Sequence, residues 1–432
     1  MQHKIPVQQF GPQGPAMADA VSKCVHCGFC LAACPTYREL GQETDSPRGR
    51  IVLMKEVLEG TLTPDEVMSH IDQCLGCLSC EPACPSGVEY RNLISPFRAI
   101  TQENRNQPWG EKLRRMLVRN TIPYPDRFRL VASTGRIARR LAMIAPARLK
   151  SMFDLLPDRL PAKQSWRETY PALGKRRARV ALLVGCAQSV LEPDINTATI
   201  EVLNRNGVEV VVPQLQTCCG ALSWHVGEFK QAKHFAESNL QAFPSDIDAV
   251  VTNAAGCGSG MQEYGLILKG TMFEQQAREF SKLVCDISVF LERLGSLKPV
   301  EGMGRTMRVA YHDACHLSHG QGVTSEPRRL LRMIPGVEVI EIADTHFCCG
   351  SAGTYNLDQP EIAASLGRQK ATTVVATRPD IVASGNIGCI TQLKNQLQKI
   401  DSQISVQHTI QVLRDAYVQR NATNHWKDGG SG

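Results

Sequence analysis

Two stretches of the chain, CVHCGFCLAACP at residues 24–35 and CLGCLSCEPACP at residues 74–85, have the same cysteine spacing. Each reads C-x2-C-x2-C-x3-C-P, in which three cysteines surround one [4Fe–4S] cluster and the fourth reaches a second cluster. Structural zinc sites usually take two separated cysteine pairs, so the spacing favours iron–sulfur ligation. The predicted ligands are Cys24, Cys27, Cys30 and Cys84 for one cluster, and Cys74, Cys77, Cys80 and Cys34 for the other.

The second half of the chain contains two copies of one pattern, which begin 129 residues apart at Arg179 and Arg308. Each copy has an apolar run that ends near a cysteine, then a Cys-Cys-Gly turn, then another apolar run followed by a cysteine. Three landmarks at nearly constant offsets indicate a duplication. They are RVALLVGCAQ (179–188) with RVAYHDACHL (308–317), CCG (218–220) with CCG (348–350), and DAVVTNAAGC (248–257) with DIVASGNIGC (380–389).

Each copy alternates three strand-like runs with helical stretches, which predicts a parallel sheet covered by helices. The predicted fold class is therefore α+β and α/β: an N-terminal helical dicluster ferredoxin domain, then a duplicated α/β CCG domain with parallel sheets. Sites in such sheets form at the carboxyl ends of the strands, where the cysteines of each copy should converge. The candidate ligands of a further cluster or metal are Cys186, Cys218, Cys219 and Cys257 in one copy, and Cys315, Cys348, Cys349 and Cys389 in the other.

Several occupants of these four-cysteine groups remain open at the level of sequence. Four converging thiolates repel one another unless a metal or cluster neutralises them, or unless they stay protonated or form disulfides. An iron–sulfur cluster, a redox-active thiol site, zinc and a vestigial site are the alternatives. Gly220 and Gly350 follow the paired cysteines, where bare backbone can turn sharply beside a bulky group. Cys285 has no counterpart in the repeat and is predicted to be a small buried apolar residue.

Other polar residues near the cysteines have two interpretations each. Arg48 and Arg50 could offset cluster charge or anchor the helix predicted between the two cysteine runs. Histidines crowd the second copy, and both a proton or quinone role and ordinary hydrogen bonding remain open for them. These histidines are His312, His316, His319 and His346, whereas the first copy has His225.

Composition and charge limit the functions of the chain. The 432 residues are 43% hydrophobic and carry a net charge of +6, and the opening residues lack the apolar core of a signal peptide. Reduced cysteines then predict a cytoplasmic location. The segment 105–150 has 12 basic and two acidic residues, which suits an acidic partner or an anionic membrane surface. No nucleic-acid module, dinucleotide fingerprint or Walker loop is recognisable, so neither nucleic-acid binding nor a flavin or nicotinamide site is expected.

The expected division of the chain has six segments. They are an N-terminal extension (1–19), a two-[4Fe–4S] domain (20–104), a basic helical connector (105–178), the first CCG repeat (179–300), the second CCG repeat (301–420) and a tail (421–432).

Two ferredoxin runs followed by two CCG repeats resemble the iron–sulfur subunits of bacterial glycolate oxidase. The likeness extends to CPTY, DSPRGRI (45–51), CPSGVEYRNLI (84–94) and HFCCGSAGTYNL (346–357). The resemblance implies a complex in which an FAD-binding catalytic subunit, with a second FAD-type subunit, oxidises glycolate to glyoxylate. The chain would then carry electrons to a quinone-type acceptor on the cytoplasmic face of the inner membrane, with no catalytic residue of its own.

Related families supply the alternatives. The iron–sulfur subunits of anaerobic glycerol-3-phosphate dehydrogenase and of lactate-oxidising systems look similar, as do the heterodisulfide reductases, which act on thiols and disulfides. In the heterodisulfide reductases each repeat ends in CxxC and supplies a fifth cysteine to a noncubane cluster. The corresponding positions here are Gly260 and Gln392, which puts a cluster with five cysteine ligands in doubt.

Overall fold

The computed structural model describes residues 3–102, 105, 107–139, 156–157, 159–344 and 347–417. The predicted tail at 421–432, His346 and the basic residues from Arg140 to Lys150 lie outside these ranges.

The N-terminal region is helical, as predicted. Pro47 opens the helix between the cysteine runs, and the Ser46 hydroxyl caps it by accepting a hydrogen bond from the Gly49 amide at 2.9 Å. Two 3-10 segments, Val7–Gln13 and Glu43–Asp45, accompany the α-helices. The helices are α1 (Gly14–Ser22), α2 (Phe29–Ala33), α3 (Pro35–Leu40), α4 (Pro47–Leu58), α5 (Pro64–Asp72), α6 (Arg91–Gln102), α7 (Trp109–Thr121) and α8 (Pro125–Arg139).

The two cysteine loops share one backbone conformation. In each loop the residues two and four places after the first cysteine have a left-handed φ: His26 (57°) and Gly28 (87°) in the first, Gly76 (63°) and Leu78 (60°) in the second. Left-handed backbone is costly for residues other than glycine. Each loop therefore contains one residue with a strained backbone, His26 in the first loop and Leu78 in the second. The loops are therefore related by structure as well as by cysteine spacing.

The rest of the chain forms two mostly parallel sheets with helices between the strands. An edge strand, β1 (Thr169–Tyr170), precedes the first repeat, in the segment predicted to be a helical connector. The first repeat contains β2 (Ala178–Leu182), α9 (Gln188–Leu191), α10 (Asp194–Arg205), β3 (Val208–Val211), α11 (Ala221–His225), α12 (Phe229–Ala242), β4 (Ala249–Thr252), α13 (Ala255–Gln262), α14 (Tyr264–Ile267), α15 (Glu274–Leu283), β5 (Val284–Asp286) and α16 (Ile287–Leu294). The second contains β6 (Met307–His312), α17 (Cys315–Ser318), α18 (Glu326–Arg332), β7 (Val337–Glu341), α19 (Tyr355–Asp358), α20 (Pro360–Ala376), β8 (Ile381–Ser384), α21 (Ile387–Lys399), β9 (Ser405–His408) and α22 (Thr409–Tyr417).

Strand order confirms the duplicated α/β architecture. The sheets run β1-β3-β2-β4-β5 and β7-β6-β8-β9, so four strands are ordered alike in both, and only the added edge strand β1 is antiparallel. Val180 of β2 pairs with Ala249, and Val309 of β6 pairs with Ile381, which matches the repeat offsets in the sequence. The fourth strands, β5 and β9, are absent from the sequence prediction. Cys285 lies in β5 and is 4% exposed, so it is the buried residue that the sequence predicts.

One continuous core joins the repeats. Buried apolar residues of both sheets belong to a single cluster that includes Val180, Val309 and Tyr417. The last helix, α22, packs on α10 of the first repeat, where the Arg414 Nη1 donates to the Asp194 Oδ1 at 2.6 Å. The two repeats are thus a single folding unit.

Replacing Gly350 by alanine should cost more stability than replacing Gly220. Both glycines have a left-handed φ, 83° and 79°, so alanine adds about 1–2 kcal/mol of backbone strain at either site. A Cβ on Gly350 would lie 2.5 Å from the Ala363 carbonyl oxygen, whereas a Cβ on Gly220 would lie 3.2 Å from the Ala232 oxygen. Thermal midpoints of the two variants measure the difference, and equal losses would contradict the steric argument.

Candidate iron–sulfur centres

The first predicted cluster site lies at the surface of the helical domain. Its four cysteines, three from the first loop and Cys84 from the second, line one recess with Arg48, Ile51 and Tyr90. Burial raises the pKa of Cys30 to about 11. Cys27 is exposed, and Val25 and Phe29 beside it are 66% and 67% exposed. The sulfurs therefore group across the loops, next to an apolar patch on the surface.

The second predicted site is deeper. Burial raises the pKa of Cys80, and the nearby thiolates of Cys77, Cys74 and Cys34 raise it further, so Cys34 groups with the second loop. The Arg50 side chain is 1% exposed and its Nη1 lies 3.9 Å from the Cys34 sulfur. Its Nη1 also donates to Thr36 Oγ1 at 2.9 Å. A fixed buried cation therefore stands beside this thiolate group.

The sulfurs of the helical domain are not arranged as a compact site for a single ion. A zinc ion with bonds of about 2.3 Å to sulfur holds its tetrahedral ligands about 3.8 Å apart. In the described ranges, one set of three potential ligand atoms from cysteine, histidine or carboxylate side chains lies within 4.8 Å of one another. These atoms belong to His312, Cys349 and Cys389. The eight cysteines of the two loops form no such compact set in the described ranges. Their assignment as ligands stays a prediction.

Each CCG repeat gathers its four cysteines into a row. In the first repeat the Cys218 sulfur lies 3.4 Å from that of Cys186. Hydrogen bonding to Cys186 and Cys219 raises the pKa of Cys218, whereas hydrogen bonding from Cys218 and Cys257 lowers that of Cys219. The second repeat has the equivalent row Cys315–Cys348–Cys349–Cys389, with an alternation of lowered and raised pKa along it. Both rows lie at the carboxyl ends of their strands, where the sequence places them.

The row of the second repeat adjoins the second ferredoxin loop. Cys77 belongs to one buried cluster with Cys315 and Cys348. After burial, the thiolate of Cys315 is the largest cause of the raised pKa of Cys77. The His319 Nδ1 lies 3.1 Å from the Cys77 carbonyl oxygen, and the Tyr355 hydroxyl donates to the Gln73 carbonyl at 2.8 Å. The second repeat is thus in direct contact with the deeper cluster site.

Neither of the positions that would supply a fifth cysteine holds one, and both lie in the packed interior. A Cβ on Gly260 would lie 2.4 Å from the Ala221 Cβ, so helix α13 cannot carry a larger residue there without shifting. Gln392 is 2% exposed and its Nε2 donates to the Ala363 carbonyl at 3.1 Å. Both observations agree with the sequence, which lacks cysteine at these places.

A buried polar cluster between the repeats was missed at the level of sequence. The rings of His225 and His316 lie 5.1 Å apart, and the Glu263 Oε2 accepts a hydrogen bond from the Trp224 Nε1 at 2.6 Å. Burial raises the pKa of Glu263 to about 7 and lowers that of His225 well below its usual range. Glu263 is 168 residues from Ser95, another neighbour of His225, so no local pattern could have identified the cluster.

The arginines of helix α7, in the basic segment, form ion pairs with other parts of the chain. Arg115 of α7 pairs with Asp72 at 3.7 Å, Arg114 with Asp358 at 2.7 Å and Arg119 with Glu228 at 3.0 Å. These ion pairs join α7 to the helical domain and to both repeats. Arg136 and Arg139 lie in α8, but their side chains are outside the described part. No helix in the described ranges has the length and apolarity needed to cross a bilayer.

Comparison with known proteins agrees with this arrangement. A 4Fe-4S dicluster domain matches residues 20–88, and a cysteine-rich CCG domain matches residues 180–262 and 309–394. The fold and the cysteine groups together define an iron–sulfur protein of the redox-subunit class.

Curated relatives give the family. The glycolate oxidase iron–sulfur subunit of Escherichia coli (strain K12) is 35% identical over 92% of this chain and 95% of its own length. A probable glycolate oxidase iron–sulfur subunit of Bacillus subtilis (strain 168) is 35% identical over 91% and 93%. One of the subunits of the CoM/CoB fumarate reductase of Methanothermobacter marburgensis is 28% identical over 95% and 75%. The chain belongs to the family of glycolate oxidase iron–sulfur subunits.

Replacing Glu263 by glutamine should stabilise the protein more at pH 8 than at pH 5. The raised pKa means that folding takes up a proton between the ordinary value near 4.5 and about 7, so stability falls as pH rises through that window. Glutamine cannot ionise, and its oxygen can still accept the bond from Trp224. Thermal midpoints of both proteins at the two pH values measure the effect, and an equal gain at both would show that Glu263 ionisation has no cost.

Proposed function

We propose that this chain is the electron-transfer subunit of a glycolate-oxidising complex. Glycolate would lose two electrons and two protons to FAD on a catalytic partner subunit, which a second FAD-type subunit accompanies. The electrons would pass through this chain to a quinone-type acceptor, which takes two electrons and two protons. The crossed grouping of the loop cysteines is the observation that carries the electron-transfer role. The similarity to glycolate oxidase subunits supports the substrate.

The order of the cysteine groups supports a direction for electron transfer through the molecule. When bound, a [4Fe–4S] cluster in each crossed set would supply a one-electron carrier. The reduced flavin, which holds two electrons, could then be oxidised in two one-electron steps. The first set adjoins the exposed Val25 and Phe29, which suits contact with the flavin subunit. Cys80 of the second set also lines the recess of the first. Cys77 then contacts the second CCG repeat, which we propose holds a further metal centre.

A thiol–disulfide reductase is the second candidate, because the chain is similar to a subunit of a CoM/CoB fumarate reductase along most of its length. The four-cysteine rows would then do the chemistry. The absence of a fifth cysteine, with Gly260 and Gln392 at the two positions, favours the electron-transfer role. Complexes that oxidise lactate or glycerol-3-phosphate would use the same residues, because their substrates contact the flavin subunit.

Replacing Cys84 by serine should remove the cluster built on the first loop and spare that on the second. The reason is that Cys84 lines the recess of Cys24, Cys27 and Cys30. Iron and sulfide analysis with EPR of the reduced, anaerobically prepared chain measures both clusters. About four of the roughly eight dicluster irons should be lost.

Cys285→Ala is the matched control, because Cys285 is buried outside all cysteine groups and should leave the iron content unchanged. Loss of the second-loop signal with retention of the first would refute the crossed assignment.

The isolated chain should oxidise no glycolate but should be reduced by glycolate once the flavin subunits are added. Phe29→Ser should slow this reduction several-fold without loss of iron, because the exposed ring is next to Cys27 and Cys30 in the partner-facing loop. Stopped-flow bleaching of the iron–sulfur absorbance measures the rate.

Met272→Ser is the control for Phe29→Ser, since Met272 is 90% exposed and belongs to the first repeat rather than to a cysteine loop. Glycolate oxidation by the flavin-free chain alone would exclude the proposed role. Reduction by lactate or glycerol-3-phosphate instead of glycolate would reassign the substrate.

We also propose that helices α7 and α8 attach the chain peripherally to the cytoplasmic face of the inner membrane. Trp109, Leu117 and Leu130 are 78%, 54% and 67% exposed on these basic helices. Exposed apolar side chains on a basic helix stabilise attachment to a bilayer surface, because their apolar area is buried at the boundary between headgroups and acyl chains. The triple change of these three residues to glutamine should reduce binding to phosphatidylglycerol vesicles, whereas Met272→Gln should not. If the triple variant sedimented with the vesicles as the wild type does, the proposed membrane attachment would be wrong.

A further inference from the structure

The two CCG repeats differ at the end of their first strand. His312 is the last residue of β6, and the repeat offset of 129 residues places Leu183 at the same position in the first repeat. Both side chains are buried: His312 is 0% exposed and Leu183 is 2% exposed. The four cysteines of the row are the same in both repeats, so this position is a chemical difference between them.

His312 reaches the cysteine row with a metal-binding atom. A ring nitrogen of His312 and the sulfurs of Cys349 and Cys389 all lie within 4.8 Å of one another. Neither ring nitrogen of His312 makes a hydrogen bond of standard geometry, although the ring is fully buried. The ring does interact with the Cys349 thiol, and this interaction lowers the pKa of that thiol. A buried imidazole whose nitrogens lack well-formed hydrogen bonds is costly, and a metal bond to one nitrogen would remove much of that cost.

The second-repeat row of donor atoms is too long for all of them to bind one metal ion. His312, Cys389 and Cys349 occupy one end, and Cys348 and Cys315 follow at the other. A single tetrahedral ion on the trio would leave at least one further thiol buried beside it without a metal. An iron–sulfur centre with several irons can take all five donors.

We propose that the second CCG repeat binds an iron–sulfur centre through His312 together with Cys315, Cys348, Cys349 and Cys389. This inference rests on the proposed electron-transfer function, in which the second repeat holds a metal centre next to the deeper ferredoxin cluster. The imidazole takes the place of a fifth cysteine, because residue 392 is glutamine. The ligand is then carried by strand β6 rather than by helix α21. The first repeat, with Leu183, lacks such a donor.

Imidazole ligation has a consequence for the reduction potential. A neutral nitrogen donates less charge to iron than a thiolate does, and histidine-for-cysteine ligation raises the potential of iron–sulfur centres. His312 would therefore make the centre in the second repeat easier to reduce than an all-thiolate centre. That suits a place after the ferredoxin-type clusters on the way to an acceptor of higher potential.

The test is pulsed EPR of the full chain, prepared anaerobically with and without 15N-labelled histidine, together with iron, sulfide and zinc analysis. In the wild type we expect iron above the roughly eight atoms of the dicluster domain and a histidine 15N coupling on that additional centre. His312→Leu copies the first repeat and should lower iron affinity at this site by about tenfold or more. His312→Cys should keep the iron, abolish the 15N coupling and lower the potential of the centre. His234→Leu, at an exposed histidine of α12, is the control and should change none of these.

The outcomes separate this inference from the proposed function. Additional iron without a histidine coupling in the wild type overturns His312 as a ligand and leaves electron transfer intact. A loaded dicluster domain with no further iron, or with zinc in the second repeat, overturns the iron–sulfur centre alone. Absence of the dicluster signals themselves overturns the proposed function. Because the coupling is measured on the wild type, the inference stays testable even if His312→Leu fails to fold.

Discussion

Repulsion between clustered thiolates is the constraint on which the rest of this structure depends. Of the 17 cysteines, all except Cys285 lie in four groups, and most of them are buried or half-buried. Burial raises the pKa of thiols such as Cys30 and Cys80, so without metal these groups favour protonation. Iron displaces those protons, which couples metal loading to the stability of the fold. The proposed crossed sets would tighten this coupling, because neither loop could complete its site without the other.

The protein also brings its own positive charge to the thiolates. Burial disfavours the charge of Arg50, but Cys74, Tyr90, Cys34 and Asp45 around it raise the pKa of its guanidinium. The Nε of Arg50 donates to the His70 carbonyl at 2.7 Å, which fixes the cation in place. Removing a partner from such a buried set leaves the other charge uncompensated, a cost of several kcal/mol. Of the two arginines considered from sequence, the structure therefore gives Arg50 the role of offsetting charge in the deeper site.

The sequence predicted those features that follow from local spacing. Cysteine runs, the repeat and the carboxyl-end position of each CCG cysteine all depend on residues close in sequence or at a constant offset. Strand β5 was missed because three residues, Val284–Asp286, carry too little periodicity to be recognised. The contact between Cys77 and Cys315 joins residues 238 positions apart, and the Glu263 cluster lies between separate elements. The ion pairs of α7 were missed for the same reason, since a run of arginines looks solvent-facing until its acidic partners fold against it.

The cysteine rows of the two repeats differ in their surroundings. The row of the first repeat packs into a cluster of its own with Trp224 and Tyr264, and no ferredoxin cysteine in the described ranges belongs to that cluster. Gly260 fits tightly against Ala221, and Leu183 fills the position of the strand-end histidine. Electron transfer requires short distances between carriers, and it is the second row that adjoins Cys77. The first row therefore packs among apolar residues of its own repeat, whereas the second row lies beside the second ferredoxin loop.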